Sequence, residues 1–186
     1  MTQWTGPVAQ RMARIAGIFY VITILTGILG ALGGSGLTGF ANAVNVIGTV
    51  CYVIVTLILY QIFRPVNRWV SAAAAAFSLV GCGLSIMDVF HVNPFAVNFI
   101  VFFGFYCLLL GYLIVKSTFM PRLIGVLLAF AGVNYLTFFS HELSHRLWPY
   151  NLIPGLVAEG ALTLWLLIVG LNAQRWEEQS QTVSAT

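Results

Sequence analysis

Six runs of about twenty apolar residues, parted by turns of only a few residues, leave this chain little choice of fold. They fall at about 15–31, 41–62, 69–87, 95–115, 123–140 and 152–171, the third closing before Asp88. A hydrocarbon core is crossed by a helix of roughly 20 residues, and inside it a segment must satisfy its own backbone hydrogen bonds. The expectation is an all-α polytopic membrane protein: six transmembrane helices in one bundle over residues 1–186, with 172–186 as a polar C-terminal tail. Composition agrees, since 60% of the residues are hydrophobic and 7% are charged, against roughly 25% charged in soluble domains. Almost nothing remains for a soluble catalytic module.

The cations predict an orientation. Arg11 and Arg14 precede the first run, Arg64 and Arg68 separate the second from the third, Lys116 and Arg122 the fourth from the fifth, and Arg175 follows the sixth. Arg146 alone falls on the other side. Positive charge in short loops marks the cytoplasmic face, so both termini are expected there, in a bacterial cytoplasmic (inner) membrane. The net charge of +3 is then a topology signal, with the lipid bilayer as partner and no nucleic acid. The first run is read as a retained helix instead of a cleaved signal, because its removal would leave five spans at odds with the cations. Cys51, Cys82 and Cys107 lie within runs and form no C-x-x-C motif, which suits buried structural thiols. Gly30 and Gly34 form a small-x-x-x-small pair through which helices could pack closely or a homo-oligomer could form.

Several segments together resemble a known family. They are Ala13-Arg14-Ile15-Ala16-Gly17, the turn Arg64-Pro65-Val66-Asn67-Arg68 with the Leu59–Phe63 lead-in, Gly111-Tyr112-Leu113, the stretch from Met120-Pro121-Arg122 to Leu128, and Glu159-Gly160-Ala161-Leu162 with the residues to Leu167. The chain is similar over nearly its whole length to bacterial membrane proteins of domain-of-unknown-function family 4386. That resemblance implies a six-helix bacterial membrane fold and supplies no catalytic residues.

Chemistry is suggested by one run, His141-Glu142-Leu143-Ser144-His145. An H-E-x-x-H helix sets two imidazoles one turn apart with a carboxylate beside them, as zinc hydrolases use. At about 1.5 Å per residue, His141 lies roughly 27 Å above Leu123, and Asp88 roughly 28 Å above Trp69. Asp88 and His91 are therefore expected level with His141 and His145, and one or the other could complete three ligands to zinc, with Glu142 as the general base on a metal-bound water. Asn134, Phe138, His141 and His145 of the fifth run share one helical face. The competing reading is an interfacial anchor group, with Arg146, Trp148 and Tyr150 alongside. The segment Asn151-Leu152-Ile153-Pro154-Gly155 is superficially similar to the second motif of intramembrane metalloproteases but lacks its aspartate. No phosphate loop, G-x-S-x-G elbow or dinucleotide fingerprint is present.

Glu159 stands apart. It falls roughly 18 Å above the inner end of its run by the same arithmetic, a depth at which a carboxylate needs a partner, a proton or water. Asn134, on the polar face of the fifth run, is the other buried polar residue expected. Three readings stay open: a membrane zinc hydrolase acting on a lipid-like substrate; a small transporter or channel using Glu159, Asn134, Asn98 and Asn45; and a structural or sensory membrane subunit without enzymatic activity.

Overall fold

A computed structural model describes residues 4–32, 38–94 and 98–184, and every regular element among them is helical. The helices are α1 (Gly6–Leu32), α2 (Thr38–Phe63), α3 (Arg68–Val89), α4 (Ile100–Lys116), α5 (Arg122–Tyr135), α6 (His141–Leu147), α7 (Ile153–Ile168) and α8 (Ala173–Ser184), with a 3-10 turn at Leu136–Phe139. Four segments are long and apolar enough to cross a membrane: Gly6–Gly30, Thr38–Phe63, Arg68–Val89 and Arg122–Phe139. The α7–α8 pair, bent by 103°, makes a fifth if taken as one span, and α4 is a shorter apolar helix of 17 residues. By length and composition this is a helical membrane protein. The expected fourth run opens on residues 95–97, and Gly34 of the small-residue pair falls in 33–37; both lie outside the described residues.

Each long helix packs on its neighbour in sequence, and α7, which packs on α5, also closes back on α1. The result is a ring in the order α1, α2, α3, α4, α5, α7. Short connections force neighbours to run antiparallel, and the cross-helix contacts confirm that direction. In α2 and α3, Thr56 and Ser78 hydroxyls lie 2.6 Å apart, while eleven residues before Ser71 the Tyr60 carbonyl accepts that serine's hydroxyl at 3.0 Å. The turn between these helices ends on Asn67, whose Oδ1 accepts from Trp69 N and Val70 N at 3.1 Å each and so caps α3.

The tightest seam joins α4 and α5. A Cβ on Gly111 would stand 2.6 Å from the Gly125 carbonyl oxygen, and one on Gly104 would stand 3.1 Å from that of Gly132. Two glycines seven residues apart on each helix thus face their counterparts, letting the backbones touch.

The ring has two unlike ends. The basal end holds the start of α1, the α2–α3 and α4–α5 turns, and α8. There the interior is filled by Leu59, Phe63, Leu113, Ile114, Leu128 and Leu166, all fully buried. The polar segment read as a tail folds into α8, which lies across this end. Trp176 is buried and its Nε1 donates to the Ile62 carbonyl at 2.9 Å. Gly6 N donates to Glu177 Oε1 at 2.5 Å, and Thr118 N to Gln179 Oε1 at 3.1 Å. One short helix therefore ties together α1, α2 and the α4–α5 turn. The outer faces of the ring are apolar and exposed, as at Ile18, Leu57, Val80, Val126 and Leu164. Apolar side chains turned outward around a packed interior suit a lipid surrounding.

The fifth run departs from a single helix. α5 stops at Tyr135, a 3-10 turn follows, and Ser140 is extended (φ −104°, ψ 117°) before α6 begins. Local side-chain bonds compete with the helix here: Thr137 Oγ1 donates to the Asn134 carbonyl at 2.6 Å, and Asn151 Nδ2 donates to Thr137 Oγ1 at 3.3 Å. Ser140 caps the new helix by accepting from Leu143 N at 3.4 Å. The continuous face expected to join Asn134 and Phe138 to His141 and His145 is therefore interrupted.

Candidate functional site

The apical half of the ring is hollow. An open cavity of about 390 Å³ is lined by residues from all six ring helices, among them Thr23, Asn45, Tyr52, Ser85, Phe103 and Tyr135, with Glu159 as its carboxyl group. Its rim reaches Phe99 and Ile100 at the head of α4 and Leu152 beside α7. Its floor is aromatic. Tyr52 meets Tyr20, Phe103 and Tyr106 edge to face, with ring centroids 5.4, 5.0 and 6.0 Å apart. Such pairs each contribute roughly 0.5–1.5 kcal/mol beyond burial, and three on one ring fix Tyr52 in place.

Glu159 is half-buried at the wall. The Tyr135 hydroxyl donates to its Oε1 at 3.2 Å, and the Tyr20 hydroxyl is a second hydrogen-bonding partner. Tyr20 in turn stands 3.3 Å from the Tyr52 hydroxyl. Glu159 is thus reached from α1 and α5 by tyrosines. The approach of Tyr135 depends on Gly155, one turn before Glu159 on α7, because a Cβ there would collide with the tyrosine ring and hydroxyl. Glycine and glutamate at i and i+4 present one face: the first seats the ring and the second receives its proton.

The threonines of the wall have their hydrogens committed. Thr23 Oγ1 donates to the Phe19 carbonyl at 3.0 Å, Thr26 Oγ1 to that of Ile22 at 2.9 Å, and Thr49 Oγ1 to that of Asn45 at 2.9 Å. Each hydroxyl has one proton and two lone pairs, so these three face the cavity as acceptors.

The H-E-x-x-H residues sit elsewhere, on the exposed α6. The rings of His141 and His145 are 6.4 Å apart between centroids, as one helical turn requires. Glu142 pairs with Arg146 at 2.6 Å, both side chains about three-quarters exposed (76% and 74%). Asp88 and His91 do not join the two imidazoles. Asp88 Oδ1 accepts from Asn93 Nδ2 at 2.6 Å. His91, at φ 56°, occupies the left-handed position just past α3, where its N–H bonds to the Asp88 carbonyl (3.1 Å) and that of Val92 to Met87 (3.0 Å). That is a helix stop of the Schellman kind. Among the described residues, no three His, Cys, Asp or Glu side chains form a group that could hold a metal. Asn134 is half-buried and its Nδ2 returns to the Phe130 carbonyl at 2.8 Å, outside the cavity lining.

Sequence reasoning found Glu159 and missed its tyrosines. Tyr20, Tyr52 and Tyr135 each sit inside an apolar run, where one aromatic hydroxyl is unremarkable. The available signal was that each is a phenol at a depth comparable to Glu159.

Among curated proteins, an uncharacterised protein of the archaeon Archaeoglobus fulgidus is 28% identical over 90 residues, which cover 45% of this chain and 56% of that relative. The match therefore spans little more than half of the relative's length. No solved structure matches the chain. The model of the family described as DUF4386, domain of unknown function, matches residues 91–170, the segment that carries α4 to α7 and, with them, Phe103, Tyr135 and Glu159. That match, over fewer than half of the residues, supports membership of the DUF4386 family.

Proposed function

We propose that this protein crosses the membrane six times with both ends in the cytoplasm, and takes a small ligand from the outer side into the Glu159 cavity. The observation that carries the reading is Glu159 itself: a carboxyl group on the wall of an open cavity, held by tyrosine hydroxyls with no cation among the lining residues. Groups of this kind in a largely apolar, preformed pocket are the usual make-up of a small-molecule site.

Six spans are supported by the ring, in which α4 and α7 pack as equal members despite lengths of 17 and 16 residues. Each is about 25 Å long, and a bilayer adapts to a short helix at modest cost. Orientation is supported by the cations, since Arg11, Arg64, Arg68, Lys116, Arg122 and Arg175 all belong to the basal end. Exposed Trp69 at that end, and Trp148 and Tyr150 at the other, suit the two aromatic interfaces. The packed basal half and α8 close the cavity from the inside, so the arrangement is that of a binding protein or a carrier facing outward.

The test uses Ser85, a cavity residue. In a background with Cys51, Cys82 and Cys107 replaced by Ala, Ser85→Cys should be labelled in intact cells by a membrane-impermeant thiol reagent. Labelling only after the cytoplasmic face is opened would sink the proposal.

A further inference from the structure

We infer that the ligand of this cavity is a protonated amine carrying a small apolar or aromatic body; the inference rests on the cavity being the binding site. Three independent features of the wall select that chemistry.

The first is charge. Glu159 is the only ionisable carboxyl in the lining, and no Lys, Arg or His accompanies it. The residues outside the description add none of these, being Met1–Gln3, 33–37, 95–97, Ala185 and Thr186. An anion would meet a carboxyl with nothing to offset the repulsion, whereas a cation meets its counter-ion.

The second is hydrogen-bond polarity. Thr23, Thr26 and Thr49 have given their protons to helix carbonyls, and Tyr135 has given its own to Glu159. What these groups offer the cavity is lone pairs. A ligand rich in N–H donors is complemented by these four acceptors, while the Asn45 amide and the Ser85 and Tyr52 hydroxyls are the lining groups that carry donors.

The third is the aromatic surface. Tyr52, Phe99, Phe103 and Tyr135 line the space on the side of α2, α4 and α5. The negative faces of aromatic rings attract ammonium groups within about 6 Å, more strongly where water is excluded. The same rings accommodate an apolar body. At about 390 Å³ the cavity suits a ligand of roughly one ring or a short chain, not a lipid or a peptide.

The experiment compares three probes of one shape and different charge. Purified full-length protein in detergent is equilibrated with radiolabelled benzylammonium, and unlabelled benzylammonium, benzyl alcohol and benzoate are used as competitors. Saturable binding is expected, with benzyl alcohol at least tenfold weaker than benzylammonium and benzoate without effect. Glu159→Gln, which keeps an acceptor for Tyr135, should lower benzylammonium affinity at least tenfold while the thermal midpoint of the unliganded protein is retained. Absence of saturable binding, equal competition by the alcohol or benzoate, or full affinity in Glu159→Gln would each overturn the inference. Labelling of the Ser85→Cys protein in the same preparation separates the two levels. If the thiol is labelled but benzylammonium does not slow it, the ligand class is wrong and the cavity stands; if it is not labelled at all, the cavity reading falls with it.

Discussion

Tyr135, Gly155 and Glu159 act as one unit, and single substitutions should expose the coupling. Adding a methyl group at Gly155 drives a Cβ into Tyr135, and overfilling a packed site costs about 1–3 kcal/mol. Gly155→Ala and Tyr135→Phe should therefore both remove the hydrogen bond to Glu159, and a double variant should lose less stability than the sum of the two in thermal denaturation. Strict additivity would show that Gly155 does not position the tyrosine. Depth alone pointed to Glu159, because a carboxyl inside an apolar run is conspicuous. Its partners were hidden, since a phenol inside such a run is read as packing until the fold shows where its oxygen points. The opposite holds for His141 and His145, whose spacing is plain in the sequence but whose other ligands had to be supplied by an assumed helix. Two imidazoles leave zinc short of its usual four ligands, while the Asp88 carboxylate bonds to Asn93 and no third His, Cys, Asp or Glu joins the pair among the described residues. Zinc loaded onto the purified protein is accordingly expected to be lost on gel filtration; stoichiometric retention, abolished in the His141→Ala/His145→Ala protein, would instead establish a site on α6.

At the scale of elements, the α4–α5 seam is set by backbone contact instead of by side-chain volume. A Cβ at Gly111 would meet the Gly125 carbonyl oxygen at 2.6 Å and the Ala129 nitrogen at 2.9 Å, neither of which can turn aside. Gly111→Ala should force the helices apart and lower stability by about 1–3 kcal/mol, whereas Gly83→Ala, with nothing within 4 Å of its added carbon, should cost nothing measurable. Equal effects would mean that glycine matters here for flexibility and not for closeness. The seam was legible in principle, as Gly104 and Gly111 repeat at the interval of Gly125 and Gly132. Helix boundaries were legible where a turn residue enforces them, as at Asn67 and Pro121. The end of α5 was not, because Thr137 and Asn151 end it with bonds that depend on a turn fourteen residues away. The docking of α8 was equally out of reach, for a polar segment acquires a place only when Trp176 finds the Ile62 carbonyl. Trp176→Phe keeps most of the buried ring and leaves that carbonyl unpaired, so a loss of about 1–3 kcal/mol is expected. An unchanged thermal midpoint would show that α8 is held by its other contacts.

The whole molecule combines a closed ring, a packed basal half and a hollow apical half, and this asymmetry gives meaning to its orientation. If the basal end faces the cytoplasm, the cavity is offered to molecules outside the cell and the dry half keeps the membrane sealed. If it faces outward, the same cavity samples the cytoplasm and Glu159 meets a different set of ligands. The cations choose between these, since α1, α8 and two turns put their positive charge at one end and Arg146 stands at the other. Retention of Lys and Arg on the cytoplasmic side acts through short loops close to the spans, and every loop here is short. A phosphatase reporter that works only outside the cytoplasm is therefore expected to be active when fused after Tyr150 in the α6–α7 turn and inactive when fused after Thr186. The opposite pair of results would invert the molecule or show that α4 fails to cross, and activity at both positions would show that the chain does not cross between them, in which case α7 and α8 form a re-entrant pair and not a span. Removing Arg64 and Arg68 together should weaken the preference without changing the ring, because orientation is decided by charge at the membrane surface and the ring by contacts such as Gly104 on Gly132 and Tyr135 on Glu159.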